Sequence, residues 1–179
     1  MAYFKTPQFL HEVFGEKQSM LEVSCTVLFA LVGSWLVYFV ADIKLDNWQV
    51  ILAFILIADV LAGCIANFSF GTNAFYAKRP KNRLIFIAIH VHIVAIAWLL
   101  SQPMDIALII WAYTIVTACV VNALHGKSIQ GFIAANLMCY GIFLLIYLSL
   151  PTWFLMVSVF FMIKVLFSFA VDHYRQSTQ

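Results

Sequence analysis

Charge is what this 179-residue chain has least of: ten Lys and Arg with eight Asp and Glu make up only 10% of it, against about 25% in an ordinary globular protein. Hydrophobic residues reach 64%, seventeen of them Phe, and the mean hydropathy is +0.97. A soluble domain of this size leaves too much surface exposed to hide that much apolar side chain. The small basic excess of +2 is too thin and too scattered for nucleic-acid binding, so no nucleic acid is expected as a partner.

Other absences narrow the reading further. The four cysteines, Cys25, Cys64, Cys119 and Cys139, form no CxxC pair and fall inside apolar stretches, where free thiols behave as small buried hydrophobes. No HExxH sequence, cysteine cluster or paired histidine-rich box occurs, and no cofactor is specified. The first twenty residues mix Lys5, Glu12, Glu16 and Lys17 with apolar ones, unlike a cleavable signal peptide.

What remains is a series of long apolar runs separated by short charged or Pro-containing segments. The runs predict spans over about 22–41, 48–70, 84–100, 105–124, 131–148 and 152–171. Each is near the 20 residues that cross about 30 Å of hydrocarbon as a helix. They do not alternate with period two, which excludes a barrel. The expectation is an all-α integral membrane protein, a six-helix bundle with short loops, over residues 21–172. Residues 1–20 form a lead-in, and 173–179 a short tail. In the lead-in, Phe9, Leu10, Val13 and Phe14 make one apolar stripe if helical, which predicts an interfacial helix.

Six spans put both termini on one side. That side carries Lys5, Lys17, Lys78, Arg79, Lys81, Arg83, Lys127 and Arg175, and the other only Lys44. A bias of this size places the first side, and both termini, in the cytoplasm. The expected setting is a prokaryotic inner or plasma membrane, with the lipid bilayer as the first partner.

Polar residues inside the runs are the candidate functional groups. Asp59 shares a helical face with Ala62, Gly63, Ala66 and Phe70, small residues that allow close packing, so the acid is expected to point into the bundle. Lys164 sits at a similar depth in the last span, roughly 13 Å from its end, and a pair with Asp59 is expected near the midplane. Such a pair serves either helix packing or the handling of a substrate or proton. Asn67, Asn73, Asn122 and Asn136 gather toward the basic side, where amides either bind helices together or orient a polar ligand.

The histidines are the third group. His90 falls two turns from Arg83 on one face, while His92 lies about 200° away from His90 on a regular helix. These two therefore share a metal only if the helix is distorted. His90, His125 and His173 could converge in the basic half, where imidazoles suit zinc or iron. Lys78, Arg79, Lys81 and Arg83 act first as an orientation signal, and otherwise as contacts for anionic headgroups, a phosphate-bearing substrate or a cytoplasmic partner.

Ala58, Ala62 and Ala66 recur every fourth residue. This stretch resembles the alanine-spaced helix through which the small six-helix substrate-binding subunits of energy-coupling vitamin transporters dock to their partner, and the chain is similar to them in size. In that family the motif lies in the first helix, whereas here it lies in the second, with Asp59 inside it. The resemblance implies a transport component with a membrane partner.

Three functions remain in competition. A transporter or substrate-binding component for a small polar or charged solute needs a cavity around Asp59, Asn67, His90, Asn122, His125 and Lys164. A membrane enzyme acting on a lipid or lipid-linked substrate needs His90, His125 and His173 together below the basic loop. A structural or assembly subunit needs every polar group consumed in helix contacts, with no cavity left.

Overall fold

The computed structural model describes residues 3–8, 11–44 and 47–174. Six helical spans, each long and apolar enough to cross a membrane, form the bundle: 20–41, 48–66, 80–99, 104–123, 130–147 and 152–169. Four of them are single helices, α2 (Met20–Ala41), α3 (Trp48–Ala66), α7 (Met104–Ala123) and α8 (Gln130–Tyr147). The third span is two helices, α5 (Pro80–Ile89) and α6 (His92–Leu99). The sixth begins as α9 (Thr152–Met162) and finishes as a π-helix, Ile163–Phe169.

At the N-terminus, β1 (Tyr3–Lys5) pairs antiparallel with β2 (Lys17–Ser19), Tyr3 opposite Ser19. Between them lies α1 (His11–Phe14), a single helical turn, and Phe9 and Leu10 of the expected stripe lie outside the described residues. The hairpin sits close against the start of a short helix, α4 (Phe70–Ala77), which joins the second and third spans. The approach is backbone to backbone: a Cβ on Gly15 would lie 2.1 Å from the Gly71 carbonyl oxygen, and one on Gly71 2.0 Å from that of Lys17. Gly15 also has φ +70°, a conformation that costs glycine little.

Local chemistry explains the ends. Ser19 and Glu22 form a reciprocal capping box at the start of α2, satisfying two amide groups that the first turn leaves open. Asn47 caps α3 through the Val50 amide, and Ser69 caps α4 through that of Thr72. That second cap ends the second span at Ala66, short of the Phe70 expected from hydropathy. Pro80 opens α5 at a position where its missing N–H is no loss. The third span thus begins before Leu84 and takes Lys81 and Arg83 into the helix.

The sixth span is the most enclosed of the six and α2 the least. Val157, Phe161, Val165 and Leu166 are wholly buried, and α9 with the π-helix packs against α2, α3, α7 and α8. Of the cysteines only Cys64 is buried, while Cys25, Cys119 and Cys139 are exposed. Those three face outward because hydrocarbon, unlike water, exerts no pressure to bury a thiol.

Candidate functional site

The third span breaks where it passes Asp59. His90 takes φ −78°, ψ 77°, and the Val91 amide donates to the Ile89 carbonyl at 2.9 Å, the geometry of an inverse γ-turn. Neither Pro nor Gly is present to cause it. The His90 carbonyl, released from its helical partner, accepts instead from the Trp111 indole N–H at 3.1 Å. The break cancels the angular separation expected of His90 and His92 and brings their rings to 5.1 Å between centroids.

His92 is thereby turned onto Asp59, its Nε2 lying 2.9 Å from Oδ2. The Lys164 ammonium donates to the same oxygen at 2.6 Å and to the Asp59 backbone carbonyl at 3.3 Å. The expected Asp59–Lys164 pair is present, with His92 added from a third span. Gly63 makes room for the lysine, since a Cβ there would lie 2.4 Å from its Cε. His90 engages the Phe86 carbonyl through Nδ1. His92 Nδ1 is buried with no hydrogen-bond partner among the described residues.

The pair is lopsided in its surroundings. The Lys164 side chain is 4% exposed and that of Asp59 52%. Asp59 thus sits at the edge of the bundle rather than inside it, where its helical face pointed. It opens onto a cavity of about 260 Å³ lined by Tyr76, Phe86, Ile89, His90, His92 and Lys164 among others.

Elsewhere several buried amide side chains and one guanidinium are spent on the sixth span. A π-helix and the turn after it leave carbonyls that no α-helical amide meets. Asn67 donates to the carbonyl of Lys164 at 3.2 Å and Asn73 to that of Val171 at 3.1 Å. Arg83 donates to the Ala170 carbonyl at 2.8 Å and to Asn122 Oδ1 at 2.8 Å. Gln130 donates to Ala170 as well, at 3.0 Å, and accepts from the Asp172 amide at 3.1 Å. Asn136 stands apart, exposed and bonded within its own helix.

The candidates named from sequence therefore divide. Asp59, His90 and Lys164 meet at the cavity, and Asn67 lines it while holding the π-helix. Asn122 is occupied by Arg83, and His125 is exposed in the turn after α7. His173 packs against Phe68 and Phe167, and burial pushes its imidazole below the usual histidine range. Among the described residues no three His, Cys, Asp or Glu side chains are placed to hold a metal ion, so His90, His125 and His173 are not gathered into a metal site.

The basic group divides too. Lys78 and Lys81 are exposed. Arg79 pairs with Glu16 at 3.0 Å, a bond that holds the Glu16 carboxyl below the usual carboxylate range, and it lies over the Phe75 ring. Arg83, expected with them as a headgroup or partner contact, is 2% exposed and turned inward. Its acceptors lie inside the bundle, so it cannot reach a headgroup.

These features define a class: a polytopic membrane protein with buried polar and charged side chains bonded to one another between spans. Compared with models of known families, with curated proteins and with solved structures, the chain matches none.

Proposed function

We propose that this protein is a transport or solute-binding component of the membrane, and that Asp59, His90, His92 and Lys164 form its site for a small polar ligand. One observation carries the reading: His92 and Lys164, from two other spans, converge on one carboxylate oxygen, Asp59 Oδ2, beside a cavity and about 10 Å from the end of α3. Ionisable groups inside a membrane span are costly, and where they occur they commonly mark a functional site. The broken third span supports the same view, because discontinuous helices with free backbone groups are how many transporters build a midplane site. On the charge bias the basic side faces the cytoplasm.

The structural reading accounts for Asn67, Asn73, Arg83, Asn122 and Gln130, whose bonds are internal. It leaves the Asp59 cavity unexplained. The enzyme reading needs three histidines that do not meet. A thermal-shift panel of small alcohols, amines, amino acids and carboxylates on detergent-purified protein tests the proposal. At least one compound should stabilise the wild type and lose that effect in Asp59→Asn. Stabilisation by every active compound that persists in Asp59→Asn and in Lys164→Met would refute the assignment.

A further inference from the structure

The cavity at Asp59 opens sideways. Asp59 lies seven residues before the end of α3, about 10 Å from that end, and Ile89 lies nine residues into α5, about 14 Å deep. Both are exposed, Ile89 to 61%, at depths where the surroundings are hydrocarbon. The opening has a cause in the packing. α3 lies along α6, whereas α5 leans on α4 and α7, so the second and third spans part on the basic side of the His90 break. Buried Tyr76 on α4 roofs the wedge, and Lys164 on the π-helix closes its back.

The chemistry facing this wedge selects a ligand. Both side-chain bonds to Asp59 use Oδ2, so Oδ1 is left as an acceptor with no donor among the described residues. A ligand that completes the site must donate a hydrogen bond. It should carry no net charge: the carboxylate and the Lys164 ammonium already cancel, and a further charge at this depth would be uncompensated. The walls are aromatic or aliphatic, Tyr76, Phe86 and Ile89. About 260 Å³ is below the roughly 300–1,000 Å³ of pockets that enclose a drug-sized molecule. It accommodates a head, and the rest of the molecule would lie outside, in the bilayer.

We infer that the ligand is an uncharged, hydroxyl-bearing amphiphile that enters the Asp59 wedge from the bilayer between the second and third spans, its hydroxyl donating to Asp59 Oδ1 and its chain passing Ile89 into lipid. This rests on the solute-binding reading of the same site and adds the ligand's class and its route.

Photolabelling of the full chain in phosphatidylcholine vesicles tests it, with a long-chain alcohol bearing a diazirine near its hydroxyl as the probe. The control is a short, water-soluble alcohol with the same diazirine. With the long probe, label should concentrate on residues 59–63 and 86–92 over the outward face of α2. It should fall at least fivefold in Asp59→Asn and in Ile89→Trp, which blocks the mouth without touching the ion pair. The short probe should label the wedge several-fold less. Long-probe label no denser in the wedge than on α2, or unchanged in Ile89→Trp, overturns the inference. Labelling by the short probe alone, dependent on Asp59, overturns the lateral route and leaves the solute-binding reading standing. No Asp59-dependent label with either probe removes both.

Discussion

Removing either partner of the Asp59–Lys164 pair should have unequal consequences, and the inequality is set by the partners each survivor keeps. In Asp59→Asn the ammonium of a 4% exposed lysine loses its counter-charge and keeps only weak acceptors such as the backbone carbonyl at 3.3 Å. Breaking a buried pair in this way costs about 3–5 kcal/mol. A ceiling of about 5 kcal/mol applies, the cost of discharging a lysine at pH 7 from its reference value. In Lys164→Met the carboxylate left behind keeps a side-chain partner, His92 at 2.9 Å, which the lysine of Asp59→Asn does not. Its loss should be nearer 1–2 kcal/mol, at the low end for an orphaned polar group. The double variant removes both charges and should cost less than Asp59→Asn alone. Equilibrium unfolding by SDS in mixed micelles, followed by tryptophan fluorescence, supplies the three free energies. Equal losses for the two single variants, or a double variant whose loss is their sum, would refute the view of a lysine buried for the sake of this acid.

Two further outcomes follow from groups that hold the sixth span. Arg83→Met should cost about 2–4 kcal/mol, because the Ala170 carbonyl and Asn122 lose a charged donor, and hydrogen exchange should rise at 167–174 before it rises in α2. If Arg83 instead served headgroups, stability in detergent would hardly change and only vesicle binding would suffer. For His173, burial lowers the imidazole from its ordinary 6.5, so the unfolded tail takes up a proton first on acidification. Stability from this residue is thus complete above about pH 6.5 and declines as pH falls below it. Protection of the 167–174 amides, the ratio of intrinsic to observed exchange, should fall between about pH 6.5 and 5, and His173→Phe should abolish that dependence.

The spans were legible because hydrocarbon imposes one requirement, continuous apolar length, that a sequence displays openly. Their ends were less so. Hydropathy carries the second span on to Phe70, but the Ser69 cap decides where the backbone turns. Pairing Asp59 with Lys164 needed only depth, which helix rise supplies. His92 was missed because regular helical geometry points it away from His90. The break that turns it back is completed by Trp111, twenty-one residues distant, a partner that no local pattern announces. Arg83 was misread for a related reason: its neighbours Lys78 and Lys81 are surface charges, and nothing near it in sequence reveals acceptors at Asn122 and Ala170. The π-helix that leaves the Ala170 carbonyl open has no sequence signature.

The grip on the sixth span is made on carbonyl oxygens, which every residue possesses. Ala170 and Val171 can therefore change identity without any loss of their polar contacts, provided the replacement fits. Asn73, Arg83 and Gln130 cannot change so freely, because each must present a donor of fixed length and direction. Responsibility for the shape of one helix is in this way written into three others. A reader seeking the determinants of the sixth span should look for them at 73, 83 and 130, not at 170 and 171.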